Sequence, residues 1–195
     1  MGGSEVQARS LAQALAARGH DVLAIGMRPA WARRGIPEAA IAGRGGRTVS
    51  AHDLGVHFAF VPPRGGRVGA AVSGPLPIDL ADRSVLVPLL RDREVVHVIA
   101  REWPGSYENA ARRVGARVVE TPLVHPDQPF SGDSRSDLER YRRDDAVIAL
   151  TEWEAGWYRA RGVERVHVTG VGPLIAEVPE ADPDPATVLY VGRKE

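Results

Sequence analysis

Helical segments and short apolar runs alternate along this chain, and that alternation restricts the fold more than any single motif does. The first case sets the pattern. Ala8, Leu11, Ala12 and Leu15 recur at helical spacing while Gln7, Arg9, Gln13 and Arg18 face elsewhere. Ser4 and Gln7 have the spacing of a capping box, in which hydroxyl and amide satisfy each other's orphan backbone donors, so a helix is predicted from about residue 5. Gly19 stands where a left-handed residue ends a helix, and Val22 to Gly26 then reads as a short buried strand. A helix followed so closely by such a strand predicts a parallel sheet. Nothing ahead of Gly2 reads as a strand, so the opening is expected to be a loop and first helix whose preceding strand is missing.

The pattern continues downstream. Residues 28 to 47 are rich in Gly, Arg and Ala without a clean period and predict a long loop or an irregular short helix. Val56, Phe58 and Phe60 alternate with His57 and Ala59, which predicts a strand closed by Pro62 and Pro63. Residues 64 to 78 predict a loop over the edge of a cleft. Helices are predicted at roughly 79 to 91, 107 to 114, 136 to 143 and from Thr151 to Gly162, with strands at 95 to 99, 117 to 121, 146 to 150 and 166 to 168. Thr151 and Glu154 form a second capping box. Pro122 to Asp133 has no period, and Pro173 to Pro185 is a proline-spaced acidic linker. Right-handed crossovers between such units favour one parallel sheet with helices on both faces.

Ligands in sheets of this kind bind beyond the C-terminal ends of the strands. The residues standing there are His97, Arg101, Glu102 and Trp103 after one strand, His125, Asp127 and Asp133 after the next, and Thr151 with Glu152 after a third. The free N–H groups of a helix N-terminus, approached closely through Gly2 and Gly3, suit an anion. Each has a plainer alternative: a turn without ligand for the glycines, a structural role for His97, a solvated loop with one packed Trp at 101 to 103, and helix capping for Thr151.

Gly2-Gly3-Ser4-Glu5 together with Arg18-Gly19-His20-Asp21-Val22 resembles the N-terminal half of retaining GT-B glycosyltransferases of family 4, whose first helix follows a Gly-Gly-x-Glu loop. Val95-Val96-His97-Val98 is similar to the family's strand ending in His. The stretch from Arg143 to Thr151 is similar to its late strand and helix cap, and Val188 to Arg193 to the first strand of its second domain. The resemblance implies a Rossmann-like acceptor-side domain over residues 1–172, a linker over 173–186 and the first strand of a donor-binding domain over 187–195, with the chain a fragment cut at both ends. It also implies transfer of a sugar from a nucleotide-sugar donor to an unknown acceptor with retention. Gly2, Gly3 and Arg193 would then meet the donor diphosphate, where a bidentate guanidinium suits phosphate. His125 would contact the transferred sugar as the catalytic-domain histidine, although relatives often carry that His where Leu123 stands here. His97, Arg101, Glu102, Trp103, Thr151 and Glu152 would line the substrate. No metal or cofactor is implied, and the donor-binding half would come from the parent protein or a partner chain, leaving this polypeptide with little activity alone.

Composition narrows the classes. Lys plus Arg and Asp plus Glu each number 25, so no overall charge points to nucleic acid or to an anionic membrane surface. The absence of cysteine excludes a disulfide framework, a thiolate zinc site and a Cys nucleophile. No apolar run is long enough to span a bilayer and the first residues are not those of a signal peptide, which fits a cytoplasmic setting. Two other readings stand beside the enzyme: a non-enzymatic acceptor-binding half that works with a separate donor-domain chain, and an unrelated nucleotide-binding Rossmann protein. The latter expects Gly-x-Gly-x-x-Gly between a strand and a helix, and Gly43-Arg44-Gly45-Gly46 lacks both flanks.

Overall fold

A computed structural model describes residues 3–27, 49–61, 83–99, 105–123 and 134–170. In chain order the elements are α1 (Gly3–Ala17), β1 (Val22–Met27), β2 (Val49–Asp53), β3 (Val56–Val61), α2 (Arg83–Leu90), β4 (Val95–Ile99), α3 (Ser106–Val114), β5 (Arg117–Thr121), α4 (Arg135–Arg143), β6 (Ala146–Ala149), α5 (Glu152–Ala160) and β7 (Val166–Val168).

Helix α1 runs from Gly3, about two residues ahead of the start that the sequence predicts. Its far end is as expected. Gly19 has φ 89°, and its amide and that of His20 return to the carbonyls of Ala16 and Leu15, so orphan acceptors of the last turn are satisfied. Helix α4 starts on an N-cap serine: Ser134 Oγ accepts from the Asp137 amide at 3.3 Å and donates to Asp137 Oδ2 at 2.6 Å. Helix α5 starts on the predicted one. Thr151 Oγ1 accepts from the Glu154 amide at 3.1 Å, and Glu154 Oε2 reaches back to the Leu150 amide at 2.7 Å. Gly162, at φ 80°, closes it.

The strands form two sheets among the described residues where a single sheet was predicted. One has the order β1-β3-β2 and the other β4-β5-β6-β7. Strands β1 and β3 are parallel, as is every neighbouring pair of the second sheet. Strand β2 departs from the all-parallel expectation, pairing antiparallel with β3 through a tight hairpin. The turn residues Leu54 and Gly55 have φ 47° and 78°, the two positive values that a type I′ turn requires. The sequence reading missed β2 because Leu54-Gly55 lacks the Asn or Asp that usually announces such a turn.

Two packed clusters hold the elements. Leu86 and Leu90 of α2, with Ala110 and Ala111 of α3, cover Val96, Val98 and Val118; Val61 of β3 and Ile25 of β1 join the same cluster. Tyr141 of α4 and Ala155, Trp157 and Tyr158 of α5 cover Val147, Ala149 and Val166. Parallel register sets Val118, Glu120 and Val147 on one face of the second sheet, so α2 to α5 share that face. Strand β4 alternates accordingly, with Val96 and Val98 buried and Val95 and His97 exposed on the opposite face.

Candidate functional site

Parallel strands β4, β5 and β6 end on one rim; His97 stands near the end of β4, and Thr151 and Glu152 follow β6. His97 lies near the end of β4 and its Nε2 is 2.7 Å from Oγ1 of Thr121, the last residue of β5. The two side chains stand on the same face because Ile99 is opposite Thr121 and His97 opposite Val119 in the register. His97 keeps solvent contact, yet crowding by protein atoms desolvates its charged form and pulls its pKa below the ordinary 6.5. At neutral pH the ring is therefore uncharged, one nitrogen a donor and the other an acceptor, and it shares a single proton-mediated contact with the threonine hydroxyl. Thr121 is 3% exposed, so that hydroxyl is held in place.

Directly beyond, Leu123 has φ 51°, a left-handed conformation costly for a γ-branched side chain. Pro122 before it fixes the preceding φ and has no N–H to donate. On the neighbouring strand, Thr151 is occupied as the N-cap of α5, and Glu152 is exposed with its carboxylate 3.6 Å from Arg159. Thr151 therefore has the capping role that was its plainer alternative. Gly3 forms the first turn of α1. Gly2, Arg101, Glu102, Trp103, His125, Asp127, Asp133 and Arg193 lie outside the described residues, as do the linker 173–186 and the segment 187–195.

Beneath this rim, on the opposite face of β5, lies a buried charge cluster that sequence reasoning missed. Arg140 of α4 donates to both oxygens of Glu120, from Nε at 3.2 Å and from Nη2 at 2.9 Å. It also lies 3.7 Å from Glu108 and 3.6 Å from Asp137. Arg112 of α3 donates from Nε to Glu108 at 2.9 Å, and from Nη2 to Asp144 Oδ1 at 2.9 Å and to the Arg143 carbonyl at 2.6 Å. Four carboxyl groups are thus buried around Arg140 and the partly exposed Arg112, while Arg143 reaches Glu108 only at 3.7 Å from a largely exposed position. Desolvation raises the Glu120 carboxyl to about 8 and the Asp144 carboxyl to about 6, against the opposing pull of the guanidinium groups. Asp144 Oδ2 has no hydrogen-bond partner, which accords with a carboxyl raised by burial. A glutamate inside the apolar run Val118-Val119-Glu120-Thr121, with Glu108 and Arg112 four apart on a helix, was the available signal. This cluster ties α3 and α4 to β5 immediately before Thr121, which fixes the rim from below.

The opposite rim has a shallow hollow of about 460 Å³ lined by Val95, Arg117, Val119, Asp145, Ala146 and Arg165. It lies at the N-terminal ends of the strands, away from His97 and Thr121. No cluster suited to hold a metal ion occurs among the described residues.

A parallel four-stranded sheet under helices defines a Rossmann-like α/β domain. Residues 2–173 match the glycosyl transferase 4-like domain, and the chain belongs to that family. It is therefore a glycosyltransferase-type domain, whose substrates are a sugar donor and an acceptor. No curated protein and no solved structure matches it. Among the described residues no helix is long and apolar enough to cross a membrane.

Proposed function

We propose that this domain is the acceptor-facing half of a GT-B glycosyltransferase that moves a sugar from a nucleotide-activated donor with retention and without a metal ion. The family match across residues 2–173 carries the reading. The uncharged His97, hydrogen-bonded to Thr121 at the strand-end rim, supports it, since a positioned neutral imidazole can orient a sugar hydroxyl without adding charge. In this reading the start of α1 offers backbone N–H groups to the donor diphosphate, and the residue 124–133 segment, carrying His125, faces the transferred sugar. A second domain holds the nucleotide and presents Arg193 from its first strand, so chemistry requires closure of the two halves. Residues 173–186 link them.

The probe for the rim is inorganic pyrophosphate added to the isotope-labelled chain. Amide shifts concentrated at Gly2 to Glu5 and around His97 are expected; shifts gathered at Arg117 and Arg165 on the other rim would sink the assignment. The same chain, given a panel of nucleoside-diphosphate sugars, is expected to release nucleotide far more slowly than ~1 s⁻¹, the lower end of ordinary enzyme turnover. Turnover within that ordinary range would show that no second half is needed.

A further inference from the structure

Helix α5 presents an outer face that none of the described elements covers. At about 100° per residue, Glu154, Ala155, Trp157 and Tyr158 turn into the core, while Glu152, Trp153, Gly156, Arg159 and Ala160 turn away from it. The two tryptophans of this helix fare differently. Trp157 is buried and carries the Arg161 guanidinium 3.8 Å above its ring. Trp153 is 64% exposed, and among the described residues neither a ring nor a guanidinium stacks on it. One exposed apolar side chain is ordinary on a protein surface. This one shares its face with groups that complement it.

Gly156 lies at the middle of the face, and a Cβ built there would meet nothing within 4 Å. Trp153 and Ala160 flank it on one side of the helix, Glu152 and Arg159 on the other. The indole and the carboxylate therefore sit towards the N-terminal end, the small residue and the cation towards the C-terminal end. Two such faces brought together antiparallel, about a twofold axis passing Gly156, keep each side opposite itself and reverse the chain direction. Trp153 of one copy then falls on Ala160 of the other, and Glu152 falls on Arg159. Each contact occurs twice, as an isologous interface requires. A parallel pairing would set the indole against Glu152 and Ala160 against Arg159, matching neither. The bare backbone at Gly156 lets the helix axes approach to about 8 Å, the near end of the usual range. Within one copy Glu152 and Arg159 approach only to 3.6 Å and are 79% and 48% exposed, so the exchange into the interface gives up a weak, solvated contact.

We infer that the outer face of α5 docks a second copy of this chain, antiparallel about Gly156 and anchored by Trp153. A single helix face buries less than a standard interface, so the dimer is weak, with a Kd on the order of 100 μM. Helix α5 covers the sheet face opposite His97, so pairing leaves the His97 contact with Thr121 uncovered. The inference does not rest on the transferase chemistry.

The test is sedimentation equilibrium of the whole chain at concentrations on either side of that Kd. Trp153→Ala is expected to weaken association on the order of 30-fold, as loss of an aromatic anchor does. Gly156→Gln places a side chain on the axis and should abolish association. Both positions are exposed and Gln forms helix better than Gly, so neither change should lower the thermal midpoint by more than a few degrees. Charge pairing is read with Glu152→Arg and Arg159→Glu. Each variant alone sets like charges together and should associate more weakly than the original chain; mixed in equal amounts, they set opposite charges together at both contacts and should recover its affinity. A chain that stays monomeric throughout, association untouched by Trp153→Ala or Gly156→Gln, or a mixture that associates no better than its parts overturns the inference.

Discussion

Leu54 shows how a single residue can work against its own turn. At φ 47° it occupies a left-handed conformation in which its Cβ crowds the following carbonyl, at a cost of roughly 1–2 kcal/mol, and its side chain is 72% exposed and gains little from packing. Asn adopts that conformation readily and, ahead of Gly55, gives the favoured hairpin sequence. Leu54→Asn is expected to raise stability by about 1 kcal/mol in urea unfolding; a loss would mean that Leu54 is covered by something absent from the described residues. His97 was legible from sequence as a polar residue at the end of an apolar strand, but its partner was not. Thr121 is twenty-four positions away, and only the parallel register of β4 and β5 brings the two together.

At the level of elements, helix starts decide where the chain turns toward the rim. The Ser134 hydroxyl both caps α4 and donates to the Asp137 carboxyl, which is itself fully buried. Ser134→Ala therefore loses a cap and withdraws a donor from a buried acceptor. A cost of about 1–2 kcal/mol is expected in denaturant unfolding, at the upper end for caps; a change below a few tenths would mean that water or another group takes over. Elements with strong local punctuation were readable in advance: α5 between Thr151 and Gly162, and α1 up to Gly19. The hairpin β2–β3 was not, because its turn uses a residue type that turns disfavour and its pairing is an effect of the fold around it.

For the whole molecule, the buried charge cluster links stability to pH. Glu120 is raised from 4.5 to about 8 and Asp144 from 3.8 to about 6, both chiefly by desolvation. Because both folded values exceed the unfolded ones, the folded chain keeps a proton that the unfolded chain releases. That contribution is complete below about pH 4 and is lost as pH rises through about 6 and then about 8. The groups facing the pair are Arg140, Arg112, Glu108, Asp137 and the phenol of Tyr158, the last pushed up by its own burial and uncharged throughout this range. The thermal midpoint is expected to fall between pH 5 and pH 9, with the apparent titrations belonging to the pair. Asp144→Asn supplies a permanent neutral partner and should flatten that fall; an equally steep profile in the variant would place the titrating proton elsewhere.

Sequence alone determined what is local and periodic: the alternation of helices with short apolar strands, the ends of helices at Gly19 and Gly162, the cap at Thr151, and the family. These follow from backbone sterics and from hydrogen bonds within a few residues, so they are written in consecutive letters. Tertiary structure decided the rest. The contact of His97 with Thr121 and the convergence of Glu108, Glu120, Asp137, Arg140 and Asp144 join residues tens of positions apart. Register and burial create those contacts, and burial turns ordinary surface residue types into a cluster of carboxyls raised by desolvation.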